Sequence, residues 1–282
     1  MNIVLVYNPK SGSALSRQEL SRKCTAAGIN VDTFIAIDDR LPQKLRPHIA
    51  KAKNIAVIGG DGTISAVAGL VAGTKATLIP LPGGTLNHFI KDLGVPQNID
   101  EALARLKKCK LRSIDIASVN DTYFINNSSL GIYPLSLRTR EEIEGYIGKW
   151  PAAVAASWRA LVRLKSYRVT IGDETFNTPF VFVGNNGYSF AGLSGIERTR
   201  LDEGILTVYA AKTQSHLALL KIALFALVGK AKQLSEFDEY HPTELAIQIA
   251  RSHLSISHDG EVSQLSPPLT YRIHPGALRI LG

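Results

Sequence analysis

The chain has 282 residues, 45% of them hydrophobic and 20% charged, with a formal net charge of +8 at pH 7. That content is enough for one or two buried cores and excludes a disordered or repeat chain. The basic residues are scattered, and no run of them looks like a nucleic-acid arm; a solvated positive surface is the default reading, beside an anionic membrane or a polyanionic substrate as partner. Cys24 and Cys109 have no metal-ligand spacing and suit a reducing compartment, and the histidines show no zinc-ligand spacing.

In chain order, Ile3–Tyr7 is an apolar run entering a turn at Asn8-Pro9, which reads as a first strand and not a signal peptide. Leu15–Ala27 has a helical pattern, Val31–Ile37 is a strand and Leu41–Ala52 a helix. Ile55–Ile58 is a buried-type strand closed by glycines. Ile64–Ala72 is helical, and Thr77–Leu81 is a strand that ends at Pro82-Gly83-Gly84. This alternation predicts βαβ units with a parallel sheet covered on both faces.

The pattern changes after about Arg112. Ile114–Val119 and Tyr123–Ser128 flank Asn120-Asp121, a hairpin signal. Strand-type runs follow at Tyr167–Ile171, Phe180–Gly184, Ile205–Ala210, Leu245–Ile249, Leu254–Ser257 and Leu269–Ile273, interrupted by helical stretches Trp150–Leu164 and His216–Val228. The expected architecture is a Rossmann-like α/β domain over residues 1–115 and an antiparallel β-sandwich over 116–274, with residues 275–282 returning to the first domain. Trp150–Lys165 reads as an interfacial membrane helix or as an amphipathic helix packed on the sandwich, and Leu217–Val228 as the lining of a lipid pocket or as core. Leu217–Val228 is too short to span a bilayer, which needs about 20 apolar residues.

Gly59-Gly60-Asp61-Gly62-Thr63 carries the most chemistry. Glycines permit positive φ and close approach of backbone N–H groups to a polyanion, and the helix that follows offers its positive N-terminus to phosphate. Asp61 repels phosphate, so its sensible role is through Mg²⁺ or as an acceptor for a ligand hydroxyl. Pro82-Gly83-Gly84-Thr85-Leu86-Asn87 again ends a strand and starts a helix, and Asn8-Pro9-Lys10-Ser11-Gly12-Ser13 follows the first strand. Three polar, glycine-containing turns thus fall at the carboxyl ends of parallel strands, the edge where open α/β sheets bind ligands.

These three segments resemble the nucleotide-binding motifs of the diacylglycerol kinase catalytic-domain family, which includes bacterial lipid kinases and sphingosine kinases and is distantly related to NAD kinases. Asn126-Asn127-Ser128-Ser129-Leu130-Gly131, Leu201-Asp202-Glu203-Gly204-Ile205-Leu206 and His258-Asp259-Gly260-Glu261 are similar to later motifs of that family, in the same order. The resemblance implies ATP with Mg²⁺ as cofactors. Asn8, Pro9, Ser11, Gly12, Gly59, Gly60, Gly62, Thr63, Gly83, Gly84, Thr85 and Asn87 would line the nucleotide site. Asp61 would be a catalytic carboxylate and Mg²⁺ ligand. Asp259 or Glu261 would be the general base, and a lipid acceptor would bind in the cleft between the domains. It also implies a cytoplasmic protein acting at the inner face of an anionic membrane, and leaves homodimerisation open.

The sequence departs from the family pattern at Ser13, where a basic residue is usual, at His88, where Asp is usual, and at Ala66, where Glu is usual. Ser13 and His88 together replace an ion pair, which avoids stranding one charge. Two arginines beside Asp202 disfavour a structural cation there. Three functions stay open on sequence: a lipid kinase, a kinase for a soluble hydroxyl compound, and a non-catalytic member that binds nucleotide or lipid. Within the turn, Asp259 and Glu261 would share a face if extended, but Gly260 signals a tight turn.

Overall fold

The computed structural model describes residues 1–9, 15–131, 166–190, 196–198, 200–227, 230–249 and 251–282. The stretch Trp150–Lys165 and the residues Lys10–Ser13 lie outside this set. The described chain divides into two compact units. The first comprises Met1–Ile116, Thr122–Asn126 and His274–Gly282, and the second comprises Ala117–Asp121 and Asn127–Ile273.

In the first unit, β1 (Asn2–Tyr7), α1 (Arg17–Ala26), β2 (Asn30–Ala36), α2 (Leu41–Ala50), β3 (Asn54–Gly59), α3 (Asp61–Val71) and β4 (Thr77–Pro82) alternate as the sequence predicts. The strands pair in parallel in the order β2-β1-β3-β4. The end of the chain, β18 (Leu269–Leu281), adds to β4 in parallel at Ile280 and Leu78. Every residue of β4 is buried, so helices must cover both faces of the sheet. One face is a cluster of Ile3, Leu5, Ala56, Ile58, Ile79 and Leu81 with Leu20 and Cys24 of α1 and Ala102 and Leu103 of α5 (Ile99–Arg105). Alternation sends Val4, Ile55, Val57 and Leu78 to the other face, where α3 packs on β3 and β4.

Helix α1 begins with a capping box, Ser16 accepting from the Glu19 N–H while the Glu19 carboxylate accepts from Ser16. Asn98 caps α5 through the N–H groups of Asp100 and Glu101. These caps satisfy helix-end donors locally.

The second unit is antiparallel. Its larger sheet has the order β14 (Phe237–Tyr240), β13 (Leu206–Ala211), β10 (Phe180–Asn185), β7 (Asn127–Gly131), β16 (Leu254–His258) and β17 (Glu261–Leu265). The other places the first residues of β18 beside β15 (Glu244–Ile249), β8 (Tyr167–Ile171) and β9 (Glu174–Thr178). The hydroxyls of Ser128 on β7 and Tyr271 on β18, both buried, meet at 3.3 Å and join the two sheets face to face. The short β11 (Tyr188–Phe190) and β12 (Ile196–Arg198) form a separate ribbon, and α6 (His216–Leu227) packs through Leu219 and Ile222 on Tyr209, Ala211 and Phe237.

One predicted element is corrected. Tyr123–Ser128 is not a single strand. β6 (Thr122–Phe124) turns back on β5 (Leu111–Val119) after Asn120, whose φ is +50°, and the chain then breaks at Ile125-Asn126 before β7. The break lies where the chain passes from the first unit to the second, so one apolar run serves two sheets.

Candidate functional site

Tyr7 pairs with Ile58, and Gly59 with Pro82, so β1, β3 and β4 end at one edge of the parallel sheet. The order β2-β1-β3-β4 reverses direction between β1 and β3, which makes the crevice beyond their carboxyl ends the topological switch point. Asn8 and Pro9 lie on one side of that point and Gly60-Asp61 on the other. Ser11 and Gly12 lie outside the described residues.

Two glycine pairs build the floor. A Cβ added to Gly83 would lie 2.6 Å from the Gly59 nitrogen, and one added to Gly84 would lie 2.4 Å from the Gly60 Cα. One on Gly59 would meet the Thr63 Cβ at 2.6 Å. The turns after β3 and β4 therefore press backbone against backbone. This corrects the expectation of positive φ: none of Gly59, Gly60, Gly62, Gly83 or Gly84 has it. Gly83 and Gly84 are needed because the backbone of Gly59 and Gly60 occupies the space that their side chains would fill, and Gly59 because Thr63 does. Gly84→Ala is expected to force the loops apart, lowering stability by about 1–3 kcal/mol as overpacking does. Thermal unfolding checks this, and an unchanged midpoint would contradict it.

Asp61 is the first residue of α3, behind the N-cap Gly60, which supplies no side-chain acceptor. Its carboxylate reaches across to α4 (His88–Asp92): Oδ2 accepts from the His88 N–H at 3.0 Å and Oδ1 from the Phe89 N–H at 2.9 Å. Asp61 thus caps a helix that starts 27 residues later. That helix cannot be capped by its own preceding residue, because Asn87 is left-handed at φ +49°. The buried Asn87 instead accepts from the Gly84 N–H through Oδ1 at 2.9 Å and donates to Gln97 at 3.2 Å, closing the Gly84–Asn87 turn on itself. Asn tolerates this backbone where most residues do not. The side-chain amide of the buried Asn126 also donates to Asp61 Oδ1 at 3.5 Å. Thr85 is exposed at the rim.

The contrast among helix ends is informative. The N-termini of α1 and α5 are closed by their own side chains, and that of α4 by Asp61. The N-termini of α2 and α3 both lack a side-chain cap, and it is that of α3 that opens at the switch point, with first-turn N–H groups available to an anion.

In the second unit, Asp259 and Gly260 form the two-residue turn between β16 and β17, with φ of +47° and +87°. Both central residues of a type I′ hairpin turn need positive φ, which Asp-Gly accommodates. The turn is not a free surface feature on its Asp side. Asp259 is 8% exposed, its N–H donates to the Asn127 carbonyl at 2.9 Å, and its Oδ1 accepts from the Asn127 N–H at 3.2 Å. Glu261 follows on β17 and is exposed. Asp61 and Asp259 are thus tied, each inside its own unit, to consecutive residues, Asn126 and Asn127.

The segment Leu201–Leu206 is held by a polar network that the sequence reading did not anticipate. The buried Asn186, at φ +71°, accepts from the Glu203 N–H at 2.8 Å, and the Glu203 carboxylate accepts from the Gly187 N–H at 2.7 Å. Thr207 donates to the Asn186 carbonyl, and the buried Arg198 donates to the Asn185 carbonyl. The signal available was Asn185-Asn186-Gly187 at a strand end, a left-handed-turn composition. Asp202, by contrast, pairs with its neighbour Arg200 at 3.2 Å.

Comparison with known proteins follows this division. Residues 2–119 match the diacylglycerol kinase catalytic domain, and residues 149–282 match the YegS C-terminal NAD kinase beta sandwich-like domain. The chain is 29% identical over 240 residues to "Putative lipid kinase SH2167" of Staphylococcus haemolyticus (strain JCSC1435), covering 80% of this chain and 75% of that one. A crystal structure of a diacylglycerol kinase from Bacillus anthracis str. Sterne superposes with a TM-score of 0.70 at 22% identity, covering 99% of this chain and 96% of that one. A second structure from that organism superposes with a TM-score of 0.75 at 24% identity, covering 99% and 97%. At those identities the superpositions establish the two-domain fold.

Proposed function

From the premise that this chain belongs to the diacylglycerol kinase catalytic-domain family, we propose that it transfers the terminal phosphate of ATP, carried with Mg²⁺, to a lipid hydroxyl. The observation that carries this reading is the open N-terminus of α3 at the topological switch point, floored by the two glycine pairs. An uncapped helix start beside a close backbone approach suits a polyphosphate.

A nucleotide-borne Mg²⁺ fits the donor set there. Mg²⁺ usually keeps several waters and takes one or two carboxylates besides the phosphates. Asp61 supplies one carboxylate: Oδ1 accepts from the Phe89 N–H and the Asn126 amide, while Oδ2 accepts from the His88 N–H and retains a lone pair for a cation. The ion would neutralise charge on the transferring phosphate. The residues of this chain do the rest. The first turn of α3 holds the phosphates, with the Gly83–Asn87 turn and Asn8-Pro9 as walls. Asp259 takes the proton of the acceptor hydroxyl as its oxygen bonds to the terminal phosphorus, and the bond to the bridging oxygen breaks to release ADP. The Asn127 N–H fixes the orientation of the Asp259 carboxylate. Its burial, against the exposure of Glu261, supports Asp259 as the base and Glu261 as a flanking charge.

A lipid acceptor would bring the reaction to a membrane surface. No helix among the described residues is long and apolar enough to cross one. Calorimetric titration with ATP tests the nucleotide half of the proposal. Binding that strengthens when Mg²⁺ is added is the expected result, and heat indistinguishable from dilution would contradict it.

A further inference from the structure

Helix α6 turns two opposite faces outward and inward. Leu219 and Ile222 are each 5% exposed and pack on Tyr209, Ala211 and Phe237. Leu217 and Leu220 are 79% and 41% exposed, and Lys221 is exposed beside them. Residues 217, 220 and 221 are spaced three and four apart, so they form one stripe about opposite the packed face. A solvent-facing leucine at that exposure is unremarked singly, but two on one helical stripe next to a cation are the composition of an interfacial helix.

The segment that carries the stripe has charge of one sign. From Thr213 to Ser235 the sequence holds Lys221, Lys230, Lys232 and His216 and no Asp or Glu. Lys232 is spent on Glu239, and Lys212, just before the segment, on Glu174 and Asp238. Among the described residues, neither Lys221 nor Lys230 has a carboxylate partner, and both are exposed. The Lys221 ammonium lies over the Phe225 ring, 6.0 Å from its centroid. Apolar side chains flanked by ammonium groups that meet no carboxylate among the described residues complement a surface that is apolar beneath and anionic above.

We propose that α6 docks this protein on anionic lipid bilayers, with Leu217 and Leu220 entering the headgroup–acyl boundary and Lys221 and Lys230 facing lipid phosphates. The proposal deepens the lipid-kinase reading by naming how the chain reaches a membrane-held acceptor, but its test needs no turnover. A second copy of the chain is the competing occupant of the stripe. It is disfavoured because Lys221 would be brought toward its own copy across a two-fold contact.

The experiment is vesicle co-sedimentation of the full chain, using phosphatidylcholine alone and phosphatidylcholine with about one-third phosphatidylglycerol, at low and high salt. Light scattering without lipid is run alongside. Expected results are binding to the anionic vesicles that weakens with salt, and a partition coefficient lowered roughly tenfold or more in the Leu217→Glu/Leu220→Glu double variant. A smaller loss confined to low salt is expected in Lys221→Gln/Lys230→Gln. All four side chains are exposed, so unchanged thermal midpoints should accompany these losses. The proposal is overturned if the native chain ignores anionic vesicles, if the double variant binds them as the native chain does, or if the double variant instead converts a dimer to a monomer. Vesicle binding that depends on α6, in a chain that phosphorylates no lipid, would uphold this inference and count against the kinase reading alone.

Discussion

Asp61→Ala is expected to abolish phosphate transfer and to destabilise the first unit together. The carboxylate accepts the His88 and Phe89 N–H groups, the second of them part-buried, so its removal leaves two helix-start donors of α4 without acceptors. Unmet donors of this kind cost about 1–3 kcal/mol. The Gly83–Asn87 turn, which packs on Gly59 and Gly60, then loses its far anchor. Asp61→Asn separates the two roles. An amide oxygen can keep one of the two N–H groups, while its NH₂ opposes the other and the negative charge is gone. Turnover should therefore fall by roughly 10²-fold or more with a smaller loss of stability than in the alanine variant. Thermal unfolding and steady-state kinetics on both variants check this. Native stability and native turnover in Asp61→Ala would overturn both roles.

Asp259→Asn should lower kcat by about 10²–10⁴-fold, the range that a positioned proton acceptor contributes. ATP affinity should stay close to native, because the substitution lies in the second unit and keeps the side-chain shape. The amide oxygen can still accept from the Asn127 N–H, so the β16–β17 turn should persist. Titration calorimetry with ATP and single-turnover transfer to lipid separate the two quantities. Native kcat in this variant would remove Asp259 from the chemistry and leave Glu261 as the carboxylate to test.

Much of the fold was legible because it rests on local pattern. β1, β3 and β4 are short apolar runs closed by turn residues, and burial on both faces is what such runs mean in a parallel sheet. The change to antiparallel strands was legible from Asn120-Asp121 and the successive strand runs. What escaped depends on contacts distant in sequence. A helix after Asn87 was legible, but the cap of α4 was not, since it comes from Asp61 and the preceding Asn87 is left-handed. From sequence, the last strand-type run ends at Ile273. In the structure the strand continues to Leu281, and the Gly276 N–H, at φ +61°, is taken by the Asp115 carboxylate from β5. The network through Asn186 and Glu203 joins residues 17 apart that no period connects.

The candidate site divides in the same way. The carboxyl edge with its three turns follows from strand–turn–helix order alone. The reason for its glycines does not, because the loop-to-loop approach of Gly84 and Gly60 appears only once β3 and β4 are paired. The Asp259-Gly260 turn was legible as a turn, while the burial of Asp259 against Asn127 required β7 to lie beside β16.

Transfer of a nucleotide's terminal phosphate to a lipid is tested by incubating the chain with γ-labelled ATP, Mg²⁺ and mixed micelles of candidate lipids, with soluble polyols and NAD alongside. Mg²⁺-dependent label in a lipid product whose hydroxyl has been esterified, lost in Asp259→Asn, is the expected result. Label in a polyol or NAD but in no lipid, or ATP bound with no acceptor labelled, would contradict it.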